Sequence, residues 1–207
     1  MQESNSQRTE EWFQARLGKC TGSKFHDAVS FTRSGESSVR RNYRYQLIAE
    51  RLTGVVQETY TSSAMQHGTD NEPVARFTYE MKTGYQVEEV GFIPSEELPD
   101  SGVSPDGLVG LDGCIEIKCP ETATHIETLT SGKVPIKYRE QVDGVMWVTG
   151  RKWCDFISYD PRLPEDLSII IIRVERDEER IKQLKEYLKE FLDEVDQELM
   201  RVLELRR

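Results

Sequence analysis

The sequence predicts one α/β domain, a mixed central sheet flanked by helices and closed by a long C-terminal helix. Three observations carry this. Just after Gly84 the hydrophobic period shifts from about 3.6 to about 2, so helices come first and strands follow. A later helical stretch separates those strands from two more. From about Asp177, apolar residues recur at 181, 184, 188, 191, 195, 199 and 202, the three- and four-residue steps of one helix. The 207 residues suit a single core, and no repeat, low-complexity tract or Pro/Gly-rich linker divides them, so 1–207 is read as one domain.

In order along the chain, TEEWFQARLG reads as a short helix, with Thr9 capping, Glu10 and Glu11 in its first turn, Arg16 near its end and Gly18 as its stop. TGSKFHDAVS opens another. SVRRNYRYQLIAERLTG predicts a longer helix ending at Gly54, with Tyr45, Ile48, Ala49 and Leu52 on its inner side. NEPVARFTYEMKTG predicts a helix whose first turn holds Glu72 and Pro73 and which ends at Gly84. YQVEEVGFIPS, SGVSPDGLVG and CIEIKCP read as three strands, the last two joined by the turn Leu111-Asp112-Gly113. VPIKYREQVDGVMWVTG is helical, with Val142, Val145 and Met146 inside. KWCDFISYDP and LSIIIIRVER are strands, and the unbroken apolar run of the second predicts a central place in a sheet covered on both faces.

At 37% hydrophobic and 31% charged, the composition is that of a soluble globular protein, and no run approaches the ~18 apolar residues of a membrane span. The start, MQESNSQRTEEW, has neither the basic nor the apolar segment of a secretory signal and predicts a cytoplasmic setting. Cys20, Cys114, Cys119 and Cys154 lack C-x-x-C spacing and read as small buried hydrophobes. A net charge of −10 on its own disfavours a nucleic-acid surface. Its distribution is less simple. Residues 1–56 hold nine Lys/Arg against six Asp/Glu, whereas 86–121 hold nine acids against one base, Lys118. Phosphates gripped by one segment and cations by the other fit that asymmetry, as do two solvated faces.

The chemistry concentrates in SPDGLVGLDGCIEIKCP. Asp106 lies in a turn after Pro105, while Glu116 and Lys118, two apart on a strand, share one face. Clustered carboxylates with only a lysine for counter-charge are costly to ionise together unless a divalent ion sits between them. Magnesium suits such hard oxygen ligands, and Lys118 could then orient water or offset charge on a phosphoryl transition state. A solvated hairpin with a surface Glu/Lys pair accounts for the same short pattern. Glu72 supplies a third carboxylate from a helix, where it also reads as an ordinary N-terminal helix charge.

These residues stand within a longer series of blocks: RLGKCTGS, RSG, HGTDNEPVARF, SPDGL, EIKCP, REQVDGVMWVT, YDPR and VERDE. Through them, in order, the whole chain resembles the lambda exonuclease family of phage recombination nucleases, within the PD-(D/E)XK nuclease superfamily. The resemblance implies a restriction-endonuclease-like core and a two-metal, magnesium-dependent exonuclease, with manganese as a substitute. Such an enzyme digests the 5′-phosphorylated strand of linear double-stranded DNA to mononucleotides and leaves a 3′ overhang. Also implied are a ring-shaped homotrimer around the DNA, a single-strand annealing protein as partner, and a phage or prophage origin in a bacterial cytoplasm. Residue by residue, Asp106 and Glu116 match the metal-binding carboxylates, beside the Ile117 backbone carbonyl. Lys118 matches the catalytic lysine, and Glu72 the upstream acid, itself a further metal-ligand candidate. Arg16, Ser23, Ser104 and Gln141 match the residues that hold the 5′-phosphate. Arg33 matches an arginine contacting DNA ahead of the site, and Met65 an apolar residue that helps part the strands, here in a more flexible form. His67 stands where the family has a tryptophan and is given no role; His26 and His125 are read as ordinary polar residues.

Three other readings compete. An endonuclease or structure-specific nuclease of the same superfamily shares the Asp106/Glu116/Lys118 core but has no use for Arg16, Ser23 and Gln141. A DNA-end-binding protein without chemistry would gain from losing acids that repel phosphate. A domain for a small acidic ligand is more distant.

Overall fold

The computed structural model describes residues 7–33, 35–57 and 63–206, with only the backbone at Ala64 and Met65. The helices are α1 (Glu10–Arg16), α2 (Phe25–Ala28), α3 (Ser38–Thr53), α4 (Ser63–Thr83), α5 (Thr122–Ser131), α6 (Arg139–Thr149) and α7 (Glu178–Glu204). The strands β1 (Cys20–Thr21), β2 (Phe31–Thr32), β3 (Gly35–Glu36), β4 (Val87–Glu88) and β5 (Ile93–Pro94) are short. β6 (Ser101–Val103), β7 (Gly107–Val109), β8 (Gly113–Lys118), β9 (Trp153–Tyr159) and β10 (Ile169–Glu175) complete the set. A five-stranded sheet runs β10-β9-β8-β7-β4, and a three-stranded one runs β1-β6-β5. β8 and β9 are parallel, while β7 and β10 flank them antiparallel, so the main sheet is mixed as expected.

Both faces of that sheet are covered. On one, Cys114, Cys154, Phe156 and Val174 pack with Phe25 of α2, Leu47 of α3, Val145 of α6 and Leu188 of α7. On the other, Ile115, Ile117 and Ile157 pack under Ala75 and Tyr79 of α4. Alternation along β8 therefore places Ile115 and Ile117 beneath α4 and turns Glu116 and Lys118 toward the opposite helix layer. α7 buries Ile181, Leu184, Leu188, Phe191, Leu192 and Val195, each giving about 1.5–3 kcal/mol at most. Asp177 caps the helix, its carboxylate accepting from the Glu179 and Arg180 amides.

Several sequence expectations need correction. α4 begins at Ser63, so Glu72 and Pro73 lie in its interior rather than its first turn. Pro73 removes one backbone bond, but burial of Ala75 and Tyr79 on the sheet keeps the helix running. In α3 the buried apolar residues are Tyr43, Leu47 and Ile48, while Tyr45 is exposed. The Tyr43 ring stacks on Phe191 of α7, centroids 5.6 Å apart, and this sets the inner face. β10 is an edge strand, not a central one. Its isoleucines reflect cover on both faces, with Ile171 packing on the α4 side and Ile172 on the other. The segment forming α5, rich in threonine, gives no helical signal in sequence. Its buried His125 is held by Ser158 Oγ at 2.7 Å and the Leu167 carbonyl at 3.0 Å. Finally, YQVEEVGFIPS and SGVSPDGLVG are not continuous strands, since each is shared between the two sheets.

Candidate active site

That last break builds the site. β6 pairs with β5 and β1, β7 pairs with β8 and β4, and the chain crosses between the sheets at Ser104-Pro105-Asp106. Pro105 has no N–H to offer a ladder, which suits the crossing. Because Gly107 lies opposite Ile115, Asp106 comes beside the β8 residues that follow, and its Oδ2 accepts from the Ile117 N–H at 2.6 Å. Glu116, 1% exposed, accepts at Oε1 from Lys118 Nζ (2.6 Å) and from Gln141 Nε2 of α6 (2.5 Å). Gly144 lets α6 pack closely on α2: a Cβ there would lie 2.4 Å from the Phe25 ring.

Burial, and then the charge of Glu116, hold the Asp106 carboxyl well above its ordinary range; Lys118 only partly offsets them. Burial also raises Glu116, against the pull of Lys118. Burial alone would lower the Lys118 ammonium, but Glu116 and Asp106 raise it instead, so it stays charged. The two carboxylates are thus under-compensated. Glu116 Oε2 is buried with no hydrogen-bond partner, an exception that asks for a reason. A divalent cation between Asp106 and Glu116, with the Ile117 carbonyl beside them, fits these hard oxygen donors and would use that orphaned atom. Among the described residues no three Asp, Glu, His or Cys side chains converge as a ready cage. Glu72 faces the same cavity but is engaged elsewhere, Oε1 with Arg76 (3.0 Å) and Oε2 with Arg8 (2.7 Å).

A cavity of about 770 Å³ joins this centre to a second cluster. Arg16, at the end of α1, donates to Ser104 Oγ at 3.3 Å, and its guanidinium lies 3.8 Å over the Trp12 ring. Burial lowers the Arg16 pKa to about 10, which leaves it cationic at neutral pH. Ser23 lines the same cavity from a 3₁₀ turn, Gly22–Lys24, ahead of the four-residue α2, so the helix opened by this segment is short.

Asp106, Glu116, Ile117, Lys118, Glu72, Arg16, Ser23, Ser104 and Gln141 therefore all line one cavity. Gln141, expected at the phosphate, is bonded to Glu116. Arg33 lies in the exposed turn between β2 and β3, outside the cavity lining. The Met65 side chain falls outside the described residues. Sequence reasoning missed Trp12, whose Nε1 donates to Ser104 Oγ at 3.0 Å. Its spacing of four from Arg16, one helical turn, was the available signal. With Trp12 and Arg16 both donating to that oxygen, the Ser104 hydroxyl is left to donate its own proton to an anion.

Comparison with known proteins identifies the family. The profile of the YqaJ-like viral recombinase domain matches residues 11–152. The crystal structure of an alkaline exonuclease, LHK-Exo, from Laribacter hongkongensis is 47% identical, covering 95% of this chain and 97% of that one, with a TM-score of 0.88. LHK-Exo in complex with dAMP is 45% identical, covering 94% of this chain and 96% of that one, also with a TM-score of 0.88. A phage-related exonuclease from Haemophilus somnus 129PT is 15% identical over 89% of this chain and 96% of its own, with a TM-score of 0.71, a likeness of fold. No curated protein sequence matches significantly. The family profile and the near-complete overlap with LHK-Exo agree: the chain belongs to the YqaJ-like viral recombinases, the lambda exonuclease family that its motifs resemble.

Proposed function

We propose that the chain, a DNA exonuclease of this family, hydrolyses linear duplex DNA from the 5′ end, releasing mononucleotides and leaving a 3′ single strand. One observation carries the reading: Arg16, Ser23 and Ser104 line the same cavity as Asp106, Glu116 and Lys118. An anion site beside a cutting centre suits a strand that begins with a phosphate. The dAMP in the LHK-Exo complex is a nucleotide of the kind this reaction releases.

Asp106, Glu116 and the Ile117 carbonyl would hold magnesium, with manganese as its substitute. When bound, that ion neutralises the paired carboxylates and polarises the scissile phosphate. Lys118, kept protonated by Glu116 and Asp106, orients the attacking water and offsets charge at the phosphorus. Water adds to the phosphorus and the 3′ oxygen of the terminal nucleotide leaves, so the shortened strand begins again with a 5′-phosphate. Arg16 and the Ser104 hydroxyl take that phosphate, and Gln141 holds Glu116 in place.

The resemblance extends the reading to a homotrimeric ring around the duplex and to a single-strand annealing partner. A net charge of −10 suits an enzyme whose outer surface repels DNA and whose channel admits free ends. The test is digestion with magnesium: linear 5′-phosphorylated duplex is shortened to single strands and mononucleotides, while closed circles persist. Equal digestion of circles, or unchanged activity in Asp106→Ala, overturns it. For the ring, a mass of one 23.9 kDa chain at micromolar concentration is the contrary result.

A further inference from the structure

We propose that Arg8 is a substrate-binding residue. On this reading its guanidinium takes a backbone phosphate of the strand being cut, and its bond to Glu72 is a resting place in the absence of DNA. The inference rests on the nuclease reading above and adds a contact to it.

Among the described residues Arg8 is the only non-glycine with positive φ, 66°. A side chain there is strained, and such strain persists where the surroundings impose it. They do so here. Gln7 Nε2 donates to the Val90 carbonyl (3.1 Å) and to the Pro105 carbonyl (2.9 Å), pinning the segment beside Asp106. On the other side Thr9 caps α1. Between these anchors Arg8 lines the cavity with Glu72, Asp106 and Lys118.

The bond to Glu72 does not account for this arrangement. Glu72 is also paired with Arg76, which is one helical turn away, 12% exposed and shared with Glu89 (2.8 Å), whereas Arg8 is 47% exposed. An ion pair made by a half-exposed cation returns little, and no more than the backbone strain takes away. The Glu72 contact also engages a single terminal nitrogen, NH2. A guanidinium offers five donors in a planar fork that matches phosphate oxygens. A half-exposed cation on the wall of the cavity that holds Asp106, Glu116 and Lys118 is therefore placed for an anion arriving from solvent.

The experiment compares the full chain with Arg8→Gly and Arg8→Lys, on linear 5′-phosphorylated duplex, over a range of salt. Glycine is at ease with positive φ, so Arg8→Gly should melt at or above the wild-type temperature. Its KM should rise about tenfold, the loss of one charge-assisted contact. The slope of log affinity against log salt should fall by about 0.7–0.9, the signature of one phosphate contact. Arg8→Lys should keep the salt slope with an intermediate KM. A glycine variant with wild-type KM and salt slope overturns the proposal, as does one that merely melts lower with KM unchanged. If the wild-type chain leaves linear duplex intact, the nuclease reading itself fails, and the proposal with it.

Discussion

Replacing Asp106 with Asn should make the metal-free protein more stable while removing its activity. The amide is nearly isosteric, and its oxygen can still accept from the Ile117 N–H, now 2.6 Å from Oδ2. What disappears is a group that must either carry a charge beside Glu116 or hold a proton to avoid one. Carboxylates about 4–6 Å apart repel by about 3–4 kcal/mol at an effective dielectric of about 20. Attraction between Lys118 and the Asp106 carboxylate offsets part of this, so the gain should be about 1–2 kcal/mol, or about 2–8 °C in a chain of this size. The pH dependence supplies the control. Burial and Glu116 raise the Asp106 carboxyl above its ordinary 3.8. The folded state therefore holds a proton that the unfolded state has lost, and wild-type stability falls as pH climbs from about 4 toward the raised folded value. The advantage of Asp106→Asn should be absent below pH about 4, open as pH rises, and then level off. Thermal unfolding in EDTA, from pH 4 to 9, measures it. A variant less stable than wild type throughout would refute the under-compensated pair. So would an equal advantage at every pH.

Other outcomes follow from the same geometry. Lys118→Ala should slow cutting by about 10²–10³-fold while end binding is retained; comparable losses of binding and rate would contradict its assigned role. Trp12→Phe keeps an aromatic face for Arg16 but loses the bond to Ser104 Oγ. It should raise KM for 5′-phosphorylated ends about 2–10-fold and hardly alter that for 5′-hydroxyl ends, and an equal effect on both would show that Trp12 serves folding only. Gly144→Ala drives a methyl to 2.4 Å from the Phe25 ring and should cost about 1–3 kcal/mol, read as a lower denaturation midpoint with unchanged slope.

The juxtaposition of Asp106, Glu116 and Lys118 was legible in the sequence because a strand has period two: Glu116 and Lys118 had to share a face, and the Pro-Asp-Gly turn had to bring Asp106 near. The long helix was legible for the analogous reason, its stripe from 181 to 195 being the face that is buried. What escaped depends on long-range packing. Nothing local says that β10 lies at an edge, because cover from above and below makes isoleucine favourable whatever stands alongside. Nor does local pattern rotate α3 so that Tyr43 rather than Tyr45 goes inside; Phe191, far along the chain, decides that. The 310 turn at Ser23 and the left-handed backbone at Arg8 are likewise set by partners distant in sequence.

The crossing between the two sheets also bears on how end recognition and cutting are joined. Ser104 and Asp106 stand on either side of Pro105, whose ring fixes φ and whose carbonyl is held by Gln7. Ser104 is further held by Trp12 and Arg16, and Asp106 by the β8 backbone, so neither can shift without breaking a bond to a different element. If Ser104 takes the terminal phosphate and Asp106 serves the scissile one, the spacing between the two phosphates is set by three residues of constrained chain. A cavity built in this way favours a substrate whose first and second phosphates are one nucleotide apart, and each cut regenerates that spacing. On the proposed reading, a single-nucleotide step would follow from the placement of Ser104 and Asp106 at the two ends of a proline crossing between the sheets, and Asp106 and Glu116 need not measure the strand themselves.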